Sequence, residues 1–322
     1  MQEQVGICNE CGPAYREKNA VRARGCTHAP VQPRVARVLA HDHSSHRFGE
    51  DVFERRSHGW RQHVTAPESR VVNRSCHRLR HTGVSVHTSG VASSIPQSVT
   101  ISVNQQIRVS GLMQRPTAAR TLLVLAHGAG AGMEHPFMAA LAHDLAAIGI
   151  ATLRFQFPYM EIRGKRPDPP ALCHATIRAA VAAAHELEPS LPLFAGGKSF
   201  GGRMTSQAQA AIPLAHVVGL VFFGFPLHPA KRPSSDRGAH LSQVQIPMLL
   251  LQGTRDALAE LQLIKPLAEG LGKGTTLTLL ENADHSFHVP ARSGRTDAQV
   301  RSDMLDAFVT WADSIIESPH PA

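Results

Sequence analysis

Short apolar segments alternate with amphipathic segments from about residue 97 to residue 316. Continuous apolar runs bounded by Gly or Pro are typical of strands buried on both faces of a sheet. The continuous apolar run at residues 120–126 predicts a strand of this kind, and further strands are predicted at residues 150–157, 191–195, 217–223, 247–252 and 275–280. Apolar side chains at helical spacing predict helices at residues 136–148, 172–187, a segment ending near 211, 257–271 and 299–316.

The alternation of strand and helix predicts right-handed crossovers and a mostly parallel central sheet with helices on both faces. Residues 99–103 and 107–113 alternate apolar and polar side chains, which predicts a hairpin before the parallel strands. We therefore expect an α/β domain over residues 96–322. In such sheets ligands bind at the carboxyl ends of the strands, so functional side chains are expected in the loops that follow them.

Residues 1–95 show no sustained strand or helix periodicity and are rich in Arg, His and Ser. They carry 14 basic and 8 acidic residues, so most of the net charge of +8 lies in this segment. A basic segment can bind nucleic acid, but one without an apolar pattern is more often solvated or unfolded. We expect a poorly ordered N-terminal extension without a specific nucleic-acid site. Translated upstream sequence from a misassigned start is the alternative.

The chain has five cysteines, an odd number that does not suggest a disulfide framework and favours a cytoplasmic location. Cys8, Cys11, Cys26 and His28 loosely resemble zinc ligands, but Cys26 and His28 are too close together for a zinc finger. We therefore expect no structural zinc. The sequence shows no apolar run long enough for a membrane span and no apolar segment typical of a secretory signal.

A serine, an aspartate and a histidine each follow a predicted strand. Ser199 stands in the sequence Gly-Lys-Ser-Phe-Gly between a strand and a helix, which is the nucleophile-elbow pattern G-x-S-x-G. Asp256 follows the strand at 247–252, and His285 follows the last strand. The order Ser, Asp, His is that of α/β-hydrolase triads. We expect Ser199 to be the nucleophile, His285 the base, and Asp256 the acid that orients the imidazole.

Acyl transfer also needs two backbone N–H groups that bind the developing oxyanion. We expect one from Phe200, directly after the nucleophile, and one from Ala129 in the Gly-rich loop after the first parallel strand. A phosphate-binding loop is a weaker interpretation of the same region, because it would need Gly where Pro192 stands. Asp284 could replace Asp256 as the acid, but it directly precedes His285 and could not readily turn back onto its imidazole.

Four more side chains follow predicted strands and are possible pocket residues: Tyr159, Met160, Phe225 and His228. Packing at the edge of the core is the alternative role for each of them. The basic stretch 229–241 is the one candidate for a short cap over the site. Its cations could attract an anionic substrate, but we favour a solvated loop. No long insertion after Ser199 predicts a larger lid.

Seven motifs in order along residues 97–317 resemble one group of small α/β hydrolases. The motifs are residues 127–131, 157–160, 165–170, 196–203, 224–229, 252–256 and 283–287. The group is the bacterial branch of a family whose animal relatives include a testis-expressed protein and a regulatory subunit of the NSL histone-acetyltransferase complex, and it is similar to dienelactone hydrolases in plan. The resemblance implies an α/β-hydrolase fold with a triad at Ser199, Asp256 and His285. It implies no particular substrate.

Two functions remain open from the sequence. The first is a serine hydrolase that cleaves a carboxylic ester, thioester or amide, with a small-molecule acyl substrate as its partner. This chemistry requires neither a metal nor an organic cofactor. The second is a non-catalytic interaction module, because a fold of this kind also serves as a complex subunit. The presence of all three triad residues favours the enzyme. The oligomeric state stays open.

Overall fold

The computed structural model describes residues 95–318 of the chain. Nearly all of the predicted N-terminal extension lies outside the described residues, together with Cys8, Cys11, Cys26 and His28, so what we expect of that segment stays a prediction. Within residues 95–318, no helix combines the length and the apolar character that a membrane span requires.

Eight strands alternate with six α-helices over the described residues. The strands are β1 (Gln97–Ser102), β2 (Arg108–Gln114), β3 (Thr121–Ala126), β4 (Ile150–Phe155), β5 (Leu193–Lys198), β6 (Val217–Phe223), β7 (Met248–Gly253) and β8 (Thr275–Leu280). The helices are α1 (Pro136–Ala147), α2 (Pro158–Glu161), α3 (Pro170–Leu187), α4 (Phe200–Ala211), α5 (Leu261–Leu271) and α6 (Asp297–Ile316). A 3₁₀ segment at Asp236–Gln243 overlaps the stretch 229–241, the candidate for a short cap.

All eight strands form one sheet in the order β1-β2-β4-β3-β5-β6-β7-β8. The six strands β3 to β8 run parallel to one another. Strands β1 and β2 form the predicted hairpin, and β2 pairs antiparallel with β4. This is the mostly parallel sheet that the sequence predicts. Because the parallel strands share one direction, the loops after β3, β5, β6, β7 and β8 meet at one edge of the sheet.

Strands β3, β4, β6 and β7 are buried on both faces, which explains why they are largely apolar, whereas the edge strand β8 is only partly buried. Leu122 and Val124 of β3 belong to the core cluster under α3, α4 and α5. Leu123 and Leu125 of the same strand belong to the cluster under α1 and α6. Successive side chains of a strand point to opposite faces, so each strand contributes to both clusters. The two clusters hold the sheet rigid beneath the loops that follow it.

Most predicted element boundaries fall within a few residues of those in the structure, and two differences have visible causes. Helix α6 begins at Asp297 because Thr296 and Gln299 form a capping box, in which each side chain bonds the other residue's backbone N–H. Helix α5 was expected from residue 257 but begins at Leu261. The residues before it are held in a loop, where Leu258 N–H donates to the Asp256 carboxylate.

Candidate active site

The turn between β5 and α4 has the backbone geometry of a nucleophile elbow. Ser199 is the single residue between the last residue of β5 and the first residue of α4, and its backbone angles are φ 51° and ψ −115°. A non-Gly residue with positive φ is uncommon and is strained. The Ser199 N–H donates to Phe223 O at 3.2 Å, so the neighbouring strand helps to hold the turn.

Glycines flank the turn because backbone atoms leave no room for side chains there. A Cβ on Gly197 would lie 2.4 Å from Ala126 O, and a Cβ on Gly201 would lie 2.5 Å from the same oxygen. Both contacts are with the end of β3, which pairs with β5. The close approach of the two strand ends brings the Gly-rich loop after β3 beside Ser199.

Replacing Gly201 with alanine should therefore destabilise the fold, by about 1–3 kcal/mol or more, because the new Cβ would overpack against rigid backbone. The matched control is Gly270→Ala in α5, where no atom lies within 4 Å of the added Cβ. That exposed change should be neutral or should stabilise by about 0.4–1 kcal/mol. Urea unfolding of both variants measures the difference. Equal free energies of unfolding for the two variants would contradict the close approach of Gly201 to the end of β3.

The structure brings the three predicted triad side chains together in one hydrogen-bonded chain. Ser199 Oγ lies 2.8 Å from His285 Nε2, and His285 Nδ1 lies 2.7 Å from Asp256 Oδ2. A carboxylate only accepts hydrogen bonds, so His285 Nδ1 is the protonated nitrogen. His285 Nε2 is then free to accept the proton of the Ser199 hydroxyl. This is the arrangement in which an imidazole can act as a general base toward a serine.

The Asp256 carboxylate is buried and is fixed by three donors. Its Oδ2 accepts from His285 and from the amide of Gln252, while its Oδ1 accepts from Leu258 N–H at 2.7 Å. The Gln252 side chain is fully buried and also accepts from Phe225 N–H at 2.9 Å. The sequence analysis assigned no role to Gln252, although its position at the end of an apolar strand was a signal that it lies near the site.

Asp284, the alternative acid, has a different environment. Its Oδ1 accepts the backbone N–H groups of Ser286 at 2.8 Å and His288 at 3.0 Å. These bonds shape the loop after β8. No hydrogen bond joins Asp284 to the His285 imidazole within the described residues, and the geometry favours Asp256 as its partner.

The two predicted oxyanion donors flank the serine. Phe200 is the first residue of α4, so its N–H has no acceptor within the helix. Ala129 lies in the loop after β3, where a Cβ on neighbouring Gly128 would be 3.9 Å from Ser199 Cβ. Neither the Ala129 nor the Phe200 N–H makes a hydrogen bond within residues 95–318. Both therefore remain able to donate to a ligand beside Ser199.

A buried histidine fixes the loop that carries Ala129. His127 Nδ1 donates to Gly128 O at 2.8 Å, and its Nε2 accepts Phe157 N–H at 3.2 Å. Burial lowers the pKa of His127 to about 4, against a smaller opposing effect of the bond to Gly128, so the ring is neutral near pH 7. A neutral imidazole has one donor and one acceptor, and both are used here. The sequence analysis missed this role.

A cavity of about 320 Å³ opens beside Ser199 and His285. Its other lining residues are Gly128, Ala129, Ala131, His135, Phe137, Met138, Lys198, Leu258 and Ser286. The four side chains predicted as possible pocket residues are not among them. The sequence correctly places these side chains after strands, but the direction in which a loop side chain points depends on contacts that periodicity does not encode.

Two of those four side chains instead contact the Gly-rich loop beside the cavity. Tyr159 Oη accepts Gly130 N–H at 2.9 Å, and Met160 lies against Gly132, so both contact the Gly-rich loop. Phe225 is buried, with its ring packed against a neighbouring phenylalanine.

His228 is fully buried next to the Asp256 loop. Its backbone N–H donates to Leu258 O at 3.0 Å, and its Nε2 accepts Glu260 N–H at 3.4 Å. It therefore holds the segment between Asp256 and α5. Among residues 95–318, no three His, Cys, Asp or Glu side chains group closely enough to hold a metal ion.

Comparison with known proteins identifies the family to which this fold belongs. The family model of the alpha/beta hydrolase domain matches residues 119–313, which is more than half of the chain. The chain belongs to the alpha/beta hydrolase family. The matched residues run from the start of β3 almost to the end of α6, so this alpha/beta hydrolase domain includes Ser199, Asp256 and His285.

Solved structures with a similar fold include hydrolases of the dienelactone type. The dienelactone hydrolase of Anabaena variabilis is 21% identical with a TM-score of 0.55, over 68% of this chain and 98% of that one. A Xanthomonas campestris protein described as an a/b serine hydrolase without a lid is 21% identical with a TM-score of 0.54, over 70% and 97% of the two chains. At this identity the likeness concerns the fold, and it confirms the expected similarity of plan to dienelactone hydrolases.

Proposed function

We propose that this alpha/beta hydrolase is a serine hydrolase that cleaves a carboxylic ester, thioester or amide through an acyl-enzyme on Ser199. The hydrogen-bonded chain from Ser199 through His285 to buried Asp256, opening on a cavity, carries the proposal. An unactivated serine hydroxyl is a weak nucleophile, and an adjacent imidazole supplies the base that it needs. The similarity to a lidless serine hydrolase supports the same chemistry.

The proposed reaction has two halves. Ser199 Oγ attacks the substrate carbonyl while His285 Nε2 takes the hydroxyl proton, and Asp256 stabilises the imidazolium that results. The tetrahedral oxyanion accepts hydrogen bonds from the Ala129 and Phe200 N–H groups. Collapse of this intermediate expels the leaving group, which takes the proton from His285. Water then attacks the carbonyl of the acyl-enzyme while His285 Nε2 takes a proton from it. When this second intermediate collapses, Ser199 Oγ takes the proton from His285 and the acid is released.

The cavity supports a small acyl group as the substrate. Its volume of about 320 Å³ is near the lower end of ligand pockets in general, and most of its lining is apolar or small. Short-chain 4-nitrophenyl esters and acyl-thioesters are therefore the first substrates to screen. We also propose a cytoplasmic location from the cysteine usage. The suggested kinship with the testis-expressed protein and the NSL-complex subunit stays a prediction.

Covalent labelling with a fluorophosphonate probe tests the proposal directly. The wild-type protein should be labelled, and mass spectrometry should find the modification on Ser199. The label should be lost in Ser199→Ala and kept in the matched control Ser286→Ala, because Ser286 is an exposed serine that lines the same cavity without a hydrogen bond to His285. Folded wild-type protein that takes up no label would favour the interaction module instead.

A further inference from the structure

One lysine in the cavity has no part in the triad chemistry described above. Lys198 is the last residue of β5 and directly precedes Ser199, yet its side chain reaches the loop after β8. Its ammonium donates to His285 O at 2.6 Å. In the sheet, β6 and β7 lie between β5 and β8. The bond therefore joins the turn at Ser199 to the loop after β8 that carries His285, here called the histidine loop, across two intervening strands.

Two aromatic rings hold the ammonium in place. Lys198 Nζ lies 5.1 Å from the ring centre of Phe287 and 6.0 Å from that of Phe137, within the range of cation–π attraction. The two rings are stacked, with centroids 5.7 Å apart. Phe287 belongs to the histidine loop and Phe137 to the start of α1. The ammonium is therefore fixed by one carbonyl and two rings, which is more than an incidental surface lysine would show.

We propose that Lys198 is a positioning residue for the proposed hydrolysis: by binding His285 O, its ammonium holds the His285 imidazole against Ser199. The inference rests on the proposed function, because positioning matters only if His285 acts as the base. His285 lies in a loop, and its side chain contacts Ser199 and Asp256 through single hydrogen bonds. A fixed backbone carbonyl removes one way in which the imidazole could move away from the serine.

The charge of Lys198 depends on pH in a useful range. Burial lowers the pKa of Lys198 to about 8, and the carboxylates of Asp256 and Asp284 oppose this effect. His135 and His285 are the other titratable groups that line the cavity. The side chain is charged below about pH 8 and loses its proton as the pH rises through that value. A neutral amine binds a carbonyl more weakly than an ammonium does, so positioning should weaken on the alkaline side.

Kinetics of three variants test the inference with 4-nitrophenyl butyrate from pH 6 to pH 10. Lys198→Met should lower kcat about 100-fold at pH 7 with KM changed less than about twofold, because a displaced base slows chemistry more than binding. Lys198→Arg should recover about tenfold of this loss. The wild-type kcat should fall above about pH 8, and both Lys198 variants should lack that alkaline limb. Lys265→Met, an exposed lysine of α5, is the matched control and should behave like the wild type.

The outcomes separate this inference from its competitors. A Lys198→Met enzyme that keeps the wild-type kcat for 4-nitrophenyl butyrate overturns the inference. A loss of activity confined to the anionic ester 4-nitrophenyl hemisuccinate also overturns it, because Lys198 would then be a binder of anionic substrates. If Lys198→Met does not fold, an alkaline limb kept by Lys198→Arg overturns it. If the wild-type protein neither hydrolyses esters nor takes up the fluorophosphonate, the proposed function is refuted, and this inference is refuted with it.

Discussion

Replacing Ser199 with alanine should lower kcat for an accepted ester by about 10⁶-fold, with the fold retained. The substitution removes the only nucleophile that the hydrogen-bonded chain serves, and it leaves His285 and Asp256 without a proton to transfer. The residual rate should come from the oxyanion donors and the cavity alone. The fold should survive because Ser199 Oγ makes its single described side-chain hydrogen bond with His285.

Steady-state kinetics with 4-nitrophenyl butyrate measure this loss, and circular dichroism with thermal unfolding checks that the variant is folded. The double variant Ser199→Ala/His285→Ala should be no slower than the single one, because members of a triad act as a unit. Two independent losses that add in free energy would show that the two side chains do not share one proton transfer. Ser199→Ala activity near that of the wild type would refute the acyl-enzyme.

The fold was predictable because most of its parallel strands are buried on both faces and are therefore largely apolar. The alternation along the chain predicts strands at 217–223 and 275–280, and the structure has Val217–Phe223 and Thr275–Leu280. The order of strands in the sheet did not follow from periodicity, since hydrogen-bonded pairing depends on the crossovers. The start of α5 was also missed. Asp256 and His228 accept backbone N–H groups of the preceding residues and hold them as a loop, and such bonds leave no periodic signal.

The candidate site was predictable where chemistry restricts the residue type. Ser199, Asp256 and His285 each follow a strand, and in a parallel sheet those positions converge, so three separate sequence positions become one site. Lys198 occupies the unrestricted position of G-x-S-x-G, and its role depends on a backbone carbonyl 87 residues later in the chain. No spacing rule encodes such a contact. The same reason explains why the sequence left Tyr159 between a pocket role and a packing role, whereas in the structure its hydroxyl accepts Gly130 N–H.

Replacing Asp256 with asparagine should lower kcat by up to about 10⁴-fold, by analogy with other triads. The carboxylate accepts three hydrogen bonds, two at Oδ2 from Gln252 and His285 and one at Oδ1 from Leu258. An asparagine side chain has one oxygen and one NH₂ group in these two places. If its NH₂ faces His285, the imidazole must accept a hydrogen bond at Nδ1 and therefore carries its proton on Nε2. Nε2 can then no longer accept the proton of Ser199. If its NH₂ faces Leu258, two donors meet, and the side chain loses a buried hydrogen bond.

Asp284→Asn is the matched comparison, because it makes the same chemical change one residue before the base. Asp284 uses a single oxygen, Oδ1, to accept the N–H groups of Ser286 and His288, and an asparagine oxygen can accept both. We therefore expect kcat within about threefold of the wild type, since both hydrogen bonds are kept, no charge partner of the imidazole is lost, and substitutions that break no such contact have small effects. Rates of both variants at pH 7, with thermal unfolding as a check of folding, decide between the two acids. An inactive Asp284→Asn variant together with a nearly normal Asp256→Asn variant would instead assign the acid to Asp284. The reason is that an amide cannot replace the carboxylate that accepts the Nδ1–H hydrogen bond of His285.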